Sequence, residues 1–350
     1  MSTAATSITR AIEAWFQKHA RDLPWRKRRT RWRSFVSEIM LQQTQVVRVE
    51  ERFEDFMKLF PNPKSLAQAS EEAVNAAWAG LGYYRRARNL QKAAKQIQER
   101  HGGRVPADHE SLLALAGVGR YTAGAIASIA CNRPAPIVDG NVHRVLARLH
   151  ADPAPLDDKS AADRTWTRAT ILVEASGSPA VFNEGLMELG SQVCSKHTPD
   201  CSACPVRRWC KARKQDRVDV IPAARKRHEK TIEHHHAIGI IRRGKLAMQR
   251  RPDTGRWAGL WQMPTVESTR RLGGAELTRQ LGLPVEDLAH VSSFDRVLTH
   301  RRIRFHVYRA SLERGRRLPT GNRWIAPGED LEGLAMGVAQ SRTIQVMELD

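Results

Sequence analysis

Four cysteines and two carboxylates are the residues of this 350-residue chain whose types and spacing could do chemistry. Cys194, Cys201, Cys204 and Cys210 follow the pattern C-x6-C-x2-C-x5-C. Clustered thiols in a chain with no secretory features point to a metal rather than to disulfides. Tetrahedral thiolate ligation serves zinc or an iron–sulfur cluster. Zinc ribbons usually show two short C-x2-C clips and this chain shows one, which favours a 4Fe–4S cluster over zinc. Such a centre would staple the loop 194–210, and Arg207, Arg208, Lys211, Arg213 and Lys214 at its end could face phosphates. The fifth cysteine, Cys131, stands alone in an apolar helical stretch and reads as a buried thiol.

Glu38 lies in RSFVSEIMLQQTQ, whose apolar stripe uses Phe35, Val36, Ile39 and Met40. At about 100° per residue, Glu38 falls well away from the centre of that stripe. It is either a solvated surface acid or a placed one. The residues that follow, Leu41 to Gln45, offer three amides and a hydroxyl suited to base edges. Asp139, in PIVDGNVHRVL, reads as a helix N-cap, a position that keeps a carboxylate ionised. In LAGVGRYTAG, Gly117 and Gly119 permit a tight turn, and the next helix offers free N–H groups to a phosphate. A dinucleotide fingerprint would need a strand before the turn, and HESLLAL reads as a helix. The pattern over 111–130 is therefore helix–hairpin–helix, with a plain helix–helix corner as the alternative. In GLGYYRRARNL, Tyr83 and Tyr84 precede a basic helix, and suit insertion into a base stack or burial in a core.

The elements that position these residues fall into two regions. Residues 1–215 carry helix formers with apolar residues at three-to-four spacing, broken by proline-bearing stretches. Residues 216–233 read as an exposed basic linker. From 234 to 350 the pattern alternates, with strands around the RRGK turn and in AHVSSFDRVLTHRRIRFHVYRA, and helices near GAELTRQLG and SRTIQVMEL. His234, His235 and His236 are expected at an exposed strand start. The net charge of +20 points to a polyanionic partner. No run of eighteen apolar residues suggests a membrane span, and the first residues lack signal-peptide order. They read as an amphipathic helix with Ile8, Ile12, Trp15 and Phe16 on one face. A cytoplasmic protein is expected, nucleoid-associated in a bacterium.

Taken together, LPWR (23–26), SEIMLQQTQV (37–46), GLGYYRRARNL (80–90), LAGVGRYTAGAI (115–126), PIVDGNVHRVLARL (136–149), FNEGLMELG (182–190) and the four-cysteine loop resemble the MutY-type adenine DNA glycosylases, relatives of endonuclease III. GRWAGLWQMP (255–264) resembles the entry to their C-terminal Nudix-like domain. The resemblance implies an all-α helix–hairpin–helix region with an iron–sulfur loop, followed by a smaller α+β domain that reads 8-oxoguanine.

The resemblance also implies a chemistry: excision of adenine mispaired with 8-oxoguanine or guanine in double-stranded DNA. Glu38 becomes the general acid toward adenine N7, with a raised pKa in a closed pocket. Asp139, ionised, stabilises or traps the oxocarbenium-like sugar, and Glu184 helps organise the pocket. Tyr83 wedges beside 8-oxoguanine, Gln43 fills the stack, and Leu41 and Thr44 share that loop. Arg26 lies near the extruded adenine, and Gly117 and Gly119 hold a phosphate. Tyr121 stands where bifunctional relatives carry a Schiff-base lysine, so a monofunctional enzyme is expected. Thr299 and His300 take the places that read 8-oxoguanine, with Leu298 where the family has Phe. The clustered carboxylates that hold magnesium in Nudix hydrolases are absent. The expected working form is a monomer, and no sliding clamp or other protein partner is legible. The alternatives are an endonuclease III-like pyrimidine or T/U mismatch glycosylase, and a non-catalytic DNA-scanning protein.

Overall fold

Amphipathic helices at three-to-four spacing build the first of two units, residues 1–69 with 89–226; the second is 70–88 with 227–350. The computed structural model describes residues 3–224, 229–298, 300–326 and 334–347. In chain order the helices up to residue 192 are α1 (Thr3–His19), α2 (Pro24–Lys27), α3 (Arg31–Leu41), α4 (Val46–Leu59), α5 (Pro63–Gln68), α6 (Glu71–Ala77), α7 (Arg85–His101), α8 (His109–Leu113), α9 (Arg120–Ala125), α10 (Gly140–His150), α11 (Lys159–Glu174) and α12 (Pro179–Gln192). In the first unit, α1 buries Ile8, Ile12 and Phe16 and lies along α12. Helix α3 (Arg31–Leu41) starts at Thr30, whose side chain accepts from the Arg33 N–H. Its buried residues include Trp32, Phe35, Val36, Ile39 and Met40, but also Ser34, Ser37 and Glu38. A helix buried all round must meet something other than solvent on its polar side.

The hairpin is α8 (His109–Leu113) and α9 (Arg120–Ala125), the latter continuing as a π turn over Ile126–Ala130. Gly117 holds φ at +78°, and a Cβ there would stand 2.7 Å from the Asn89 Cβ, so the turn requires glycine on two counts. At Gly124 a Cβ would stand 2.2 Å from the Pro136 carbonyl oxygen. Helix α9 can therefore lie against the segment that leads into Asp139. The Asp139 carboxylate caps α10 (Gly140–His150), accepting from the Val142 N–H at 2.7 Å. Beyond the cysteine loop, Ile221 is 1% exposed and packs on Ala147 and Ala212, so part of the basic stretch 216–233 is anchored.

The second unit is a mixed sheet ordered β3-β2-β1-β6-β5, with β4 on β1 and β7 on β2. Its strands are β1 (Thr231–Arg242), β2 (Lys245–Arg250), β3 (Trp261–Gln262), β4 (Thr265–Ser268), β5 (Val285–Val297), β6 (Arg301–Leu312) and β7 (Asn322–Ile325). Arg242 pairs with Lys245, and Arg243 and Gly244 both have positive φ, the two-residue hairpin that the RRGK pattern forecasts. Strand alternation puts Ile238 and Ile240 with Leu277 of the helix Gly274–Leu281 on one face. Ala237 packs with Ile344 and Met347 on the other, beside the last helix, Val338–Gln345.

The three histidines do not stand at an exposed strand start. Strand β1 begins three residues earlier, and it is central, parallel to β6 and antiparallel to β4. His235 and His236 are buried; the Leu272 N–H donates to His236 Nε2 at 3.0 Å. The His234 and His306 rings stack at 5.3 Å. Cys131 is half-buried at the end of the π turn rather than inside a helix.

Candidate active site

Glu38, Tyr121, Asp139 and Glu184 come together from four separate segments around one cavity of about 230 Å³. Helix α3 supplies one wall through Ser34, Ser37, Glu38 and Leu41, which share a helical face. The polar side of α3 thus meets this cavity, and Glu38 is only 8% exposed. Tyr121 arrives on the first turn of α9, Asp139 at the cap of α10, and Glu184 on α12.

Burial pushes Glu38 up to about 7. A hydrogen bond from Tyr121 and the charge of Arg29 draw it down, while Glu184 and Asp139 push it further up. Asp139 is also raised by burial, against hydrogen bonds from the Val142 and Asn141 backbone and the Asn141 amide. That amide donates to Asp139 Oδ2 at 3.2 Å. Burial lifts the Tyr121 phenol far above its ordinary value, with the charges of Glu38 and Asp139 adding to it. Its hydroxyl also stands 3.1 Å from Met187 Sδ.

Arginines hold the remaining acids. Arg26 Nε binds Glu184 Oε1 at 3.0 Å and its Nη2 binds Glu188 Oε2 at 3.1 Å. Arg29 Nη2 reaches Glu184 Oε2 at 2.7 Å, and Arg21 Nε reaches Glu188 Oε1 at 2.6 Å. Burial would raise Glu188, but Arg21 and Arg26 hold it below the ordinary carboxylate value. Sequence reading finds Arg26 and Glu184 and misses Arg21, Arg29, Asn141, Met187 and Glu188, all of which line the cavity. Glu188 carried a usable signal, one helical turn after Glu184. Arg29 did not, because it is one cation in the run RKRRTRWR.

Leu41 and Thr44 line the same cavity. Gln43 does not; it is exposed, with φ +58°. Gln42 ties this loop to the hairpin through Thr122 Oγ1 at 3.0 Å. Gly119 is the N-cap of α9 with no side-chain cap, and nothing lies within 4 Å of where its Cβ would be. The first N–H groups of α9 are thus not covered by a capping side chain.

In the second unit the two tyrosines part. Tyr83 is 55% exposed with φ +49°, and Tyr84 is 6% exposed. Leu298 packs on Ile303, Phe305 and Ala339, and its N–H donates to the Arg301 carbonyl at 2.8 Å. His300 is exposed on that turn, and Thr299 lies outside the described residues.

Cys194, Cys201, Cys204 and Cys210 line one small apolar pocket with Arg148, Val193, Pro199 and Val218. Arg148 Nη1 donates to the Cys194 sulfur at 3.3 Å, and the Cys210 sulfur lies 3.4 Å from the Arg148 carbonyl oxygen. Burial pushes Cys204 up to about 11. Among the described residues, no three histidine, cysteine or acidic side chains are grouped closely enough to hold a single metal ion. Four thiols around one pocket match in kind the donors that a thiolate-bound centre requires.

Comparison with known proteins gives two family matches: HhH-GPD superfamily base excision DNA repair protein over residues 36–168, and NUDIX domain over residues 236–346. The adenine DNA glycosylase of Rattus norvegicus is 33% identical over 98% of this chain and 78% of its own length. That of Homo sapiens is 33% identical over 98% of this chain and 74% of its own. Among solved structures, a thermostable thymine-DNA glycosylase is similar with a TM-score of 0.55 and 25% identity, covering 61% of this chain and all of the other (100%).

Proposed function

This chain belongs to the adenine DNA glycosylase family, base-excision-repair hydrolases of the N-glycosyl bond, and we propose that it removes adenine opposite 8-oxoguanine or guanine by acid-assisted cleavage without cutting the strand. The observation that carries the reading is Glu38, buried in the cavity and held at about 7. Adenine leaves poorly as an anion. A carboxylic acid still protonated near neutrality can protonate N7 and let the base depart as a neutral species. Asp139, capped by Val142 and Asn141, then faces the developing oxocarbenium charge and stabilises it or forms a transient C1′ ester that water opens. Glu184, fixed by Arg26 and Arg29, adds negative charge that favours protonated Glu38.

Base release without strand cleavage follows from Tyr121. A phenol has no amine to form an imine with C1′. Gly117 and Gly119 are assigned to a backbone phosphate. Gln43 and Tyr83 are assigned to the disturbed base stack. Each is exposed in the left-handed region, a conformation that surroundings must hold against its cost. Thr299 and His300 are assigned to 8-oxoguanine. The four cysteines would hold a 4Fe–4S cluster in preference to zinc. When bound, that cluster supplies structural cross-linking of the loop, and Arg148 donates to one of its sulfur ligands. We place the enzyme as a cytoplasmic monomer on double-stranded DNA.

The test is Glu38→Gln on a duplex carrying one adenine opposite 8-oxoguanine. Binding should be unchanged, and single-turnover excision should fall at least about 100-fold. Excision at an undiminished rate would overturn the acid assignment.

A further inference from the structure

Tyr83 and Tyr84 are adjacent in sequence and opposite in environment. Both belong to the stretch 70–88 of the second unit. The Tyr83 ring is exposed on a left-handed backbone, while the buried Tyr84 donates its hydroxyl to the Met336 carbonyl at 2.9 Å. The turn between them and Trp78 is braced from within. Arg86 Nη2 donates to the carbonyls of Leu81 and Gly82, each at 3.0 Å. Trp78 Nε1 donates to the same Gly82 carbonyl at 3.0 Å. The Arg86 guanidinium lies 5.2 Å from the Trp78 ring centre and 5.6 Å from that of Tyr83. A second tie to later residues runs from Arg88 Nη1 to the Ala258 carbonyl at 2.8 Å.

We propose that Tyr84 is a positioning residue: its hydrogen bond to Met336 lets the C-terminal part of the chain fix the Tyr83 ring in the orientation needed to enter the base stack. The proposal rests on the assignment of Tyr83 as the wedge and deepens it. A left-handed tyrosine relaxes unless its neighbours define it. Arg86 and Trp78 fix the turn before Tyr83, and Tyr84 fixes the residue after it. Without the Tyr84 hydroxyl the turn gains conformations, and ordering the ring during insertion costs more. The C-terminal residues would then serve recognition through this turn as well as through residues 298–300.

The experiment uses the full chain and a duplex with adenine opposite 8-oxoguanine, carrying 2-aminopurine as the neighbour of 8-oxoguanine. Its fluorescence rises when an aromatic ring unstacks it. Wild type, Tyr84→Phe, Tyr83→Ala and the double variant are compared for this signal, for single-turnover excision and for thermal midpoint. Tyr84→Phe keeps the ring and removes only the hydroxyl. It should lower the unstacking equilibrium and excision about fivefold, as expected for one neutral hydrogen bond, and should add nothing in the Tyr83→Ala background. A wild-type signal from Tyr84→Phe, with Tyr83→Ala losing it, overturns the tether and leaves the wedge intact. An equal loss in both backgrounds also overturns the tether, as a purely structural effect. A full signal from Tyr83→Ala overturns the wedge and the tether with it. Arg88→Met, which removes the second tie, takes the place of Tyr84→Phe if that variant does not fold.

Discussion

The Tyr121 hydroxyl hydrogen-bonds the Glu38 carboxylate, so the hairpin helix draws down a pKa that burial lifts to about 7. The acid is thus tuned by two opposed effects that arrive on different elements. Burial in α3 favours the proton, and a donor at the start of α9 favours the anion.

This opposition predicts the pH profile of excision. Protonated Glu38 is the active form, so the single-turnover rate should fall as pH rises through about 7. Tyr121→Phe removes the donor and should move that alkaline limb upward. Arg29→Gln should do the same, because the Arg29 charge also lowers Glu38. Rates measured from pH 5 to 9 decide this, and a limb displaced downward in both variants would contradict the tuning.

Stability should show the same group with the opposite benefit. The folded pKa of Glu38 is raised above its ordinary 4.5, so its burial carries no ionisation cost at acid pH. The cost grows as pH rises from there to about 7, and is full above it. Glu38→Gln should therefore stabilise the protein at pH 8 by up to ~3 kcal/mol and have little effect at pH 4. Denaturant midpoints at the two pH values measure the difference. Equal shifts at both would mean that Glu38 is not held protonated by the fold.

The two hairpin glycines should separate folding from DNA binding. Gly117→Ala forces a Cβ onto Asn89 at positive φ and should destabilise by about 1–3 kcal/mol. Gly119→Ala meets nothing within 4 Å at negative φ, so the fold should tolerate it. Any loss of duplex affinity there reports obstruction of the α9 N-terminus. Melting curves and binding isotherms for both variants test the contrast; unchanged affinity in Gly119→Ala would remove the phosphate assignment.

Removing Glu188 should expose a dependence that its neighbours hide. Glu188→Ala leaves Arg21 without its carboxylate partner and removes one of the two that hold Arg26, and should destabilise by about 3 kcal/mol. Arg26 then bears on Glu184 alone, so excision should slow as well. A variant with wild-type stability in urea would contradict the buried network.

Local rules read much of this molecule from its sequence. The Asp139 cap, the RRGK hairpin and the Gly117 turn each follow from a few adjacent residues, and the structure carries all three. Tertiary facts were less legible. Helical arithmetic on α3 tells the direction of Glu38 but not what lies there, because the groups that face it across the cavity include Tyr121, Asp139 and Glu184, each more than eighty positions away. The burial of His235 and His236 is hidden from local rules for a related reason. That burial depends on which strands flank β1, and that pairing reaches across some seventy residues to β6. Arg21 and Arg29 gain meaning only from Glu184 and Glu188 on a distant helix.

The most direct test of the account is a single-turnover reaction on a duplex with one adenine opposite 8-oxoguanine, labelled on the adenine strand. Each time point is divided, and half is treated with alkali. A cut only after alkali is the expected result: the base released by Glu38 and Asp139, the strand left whole because Tyr121 offers no amine. A cut without alkali would contradict the monofunctional reading, and an intact strand in both halves with DNA bound would contradict the assignment of this cavity to adenine.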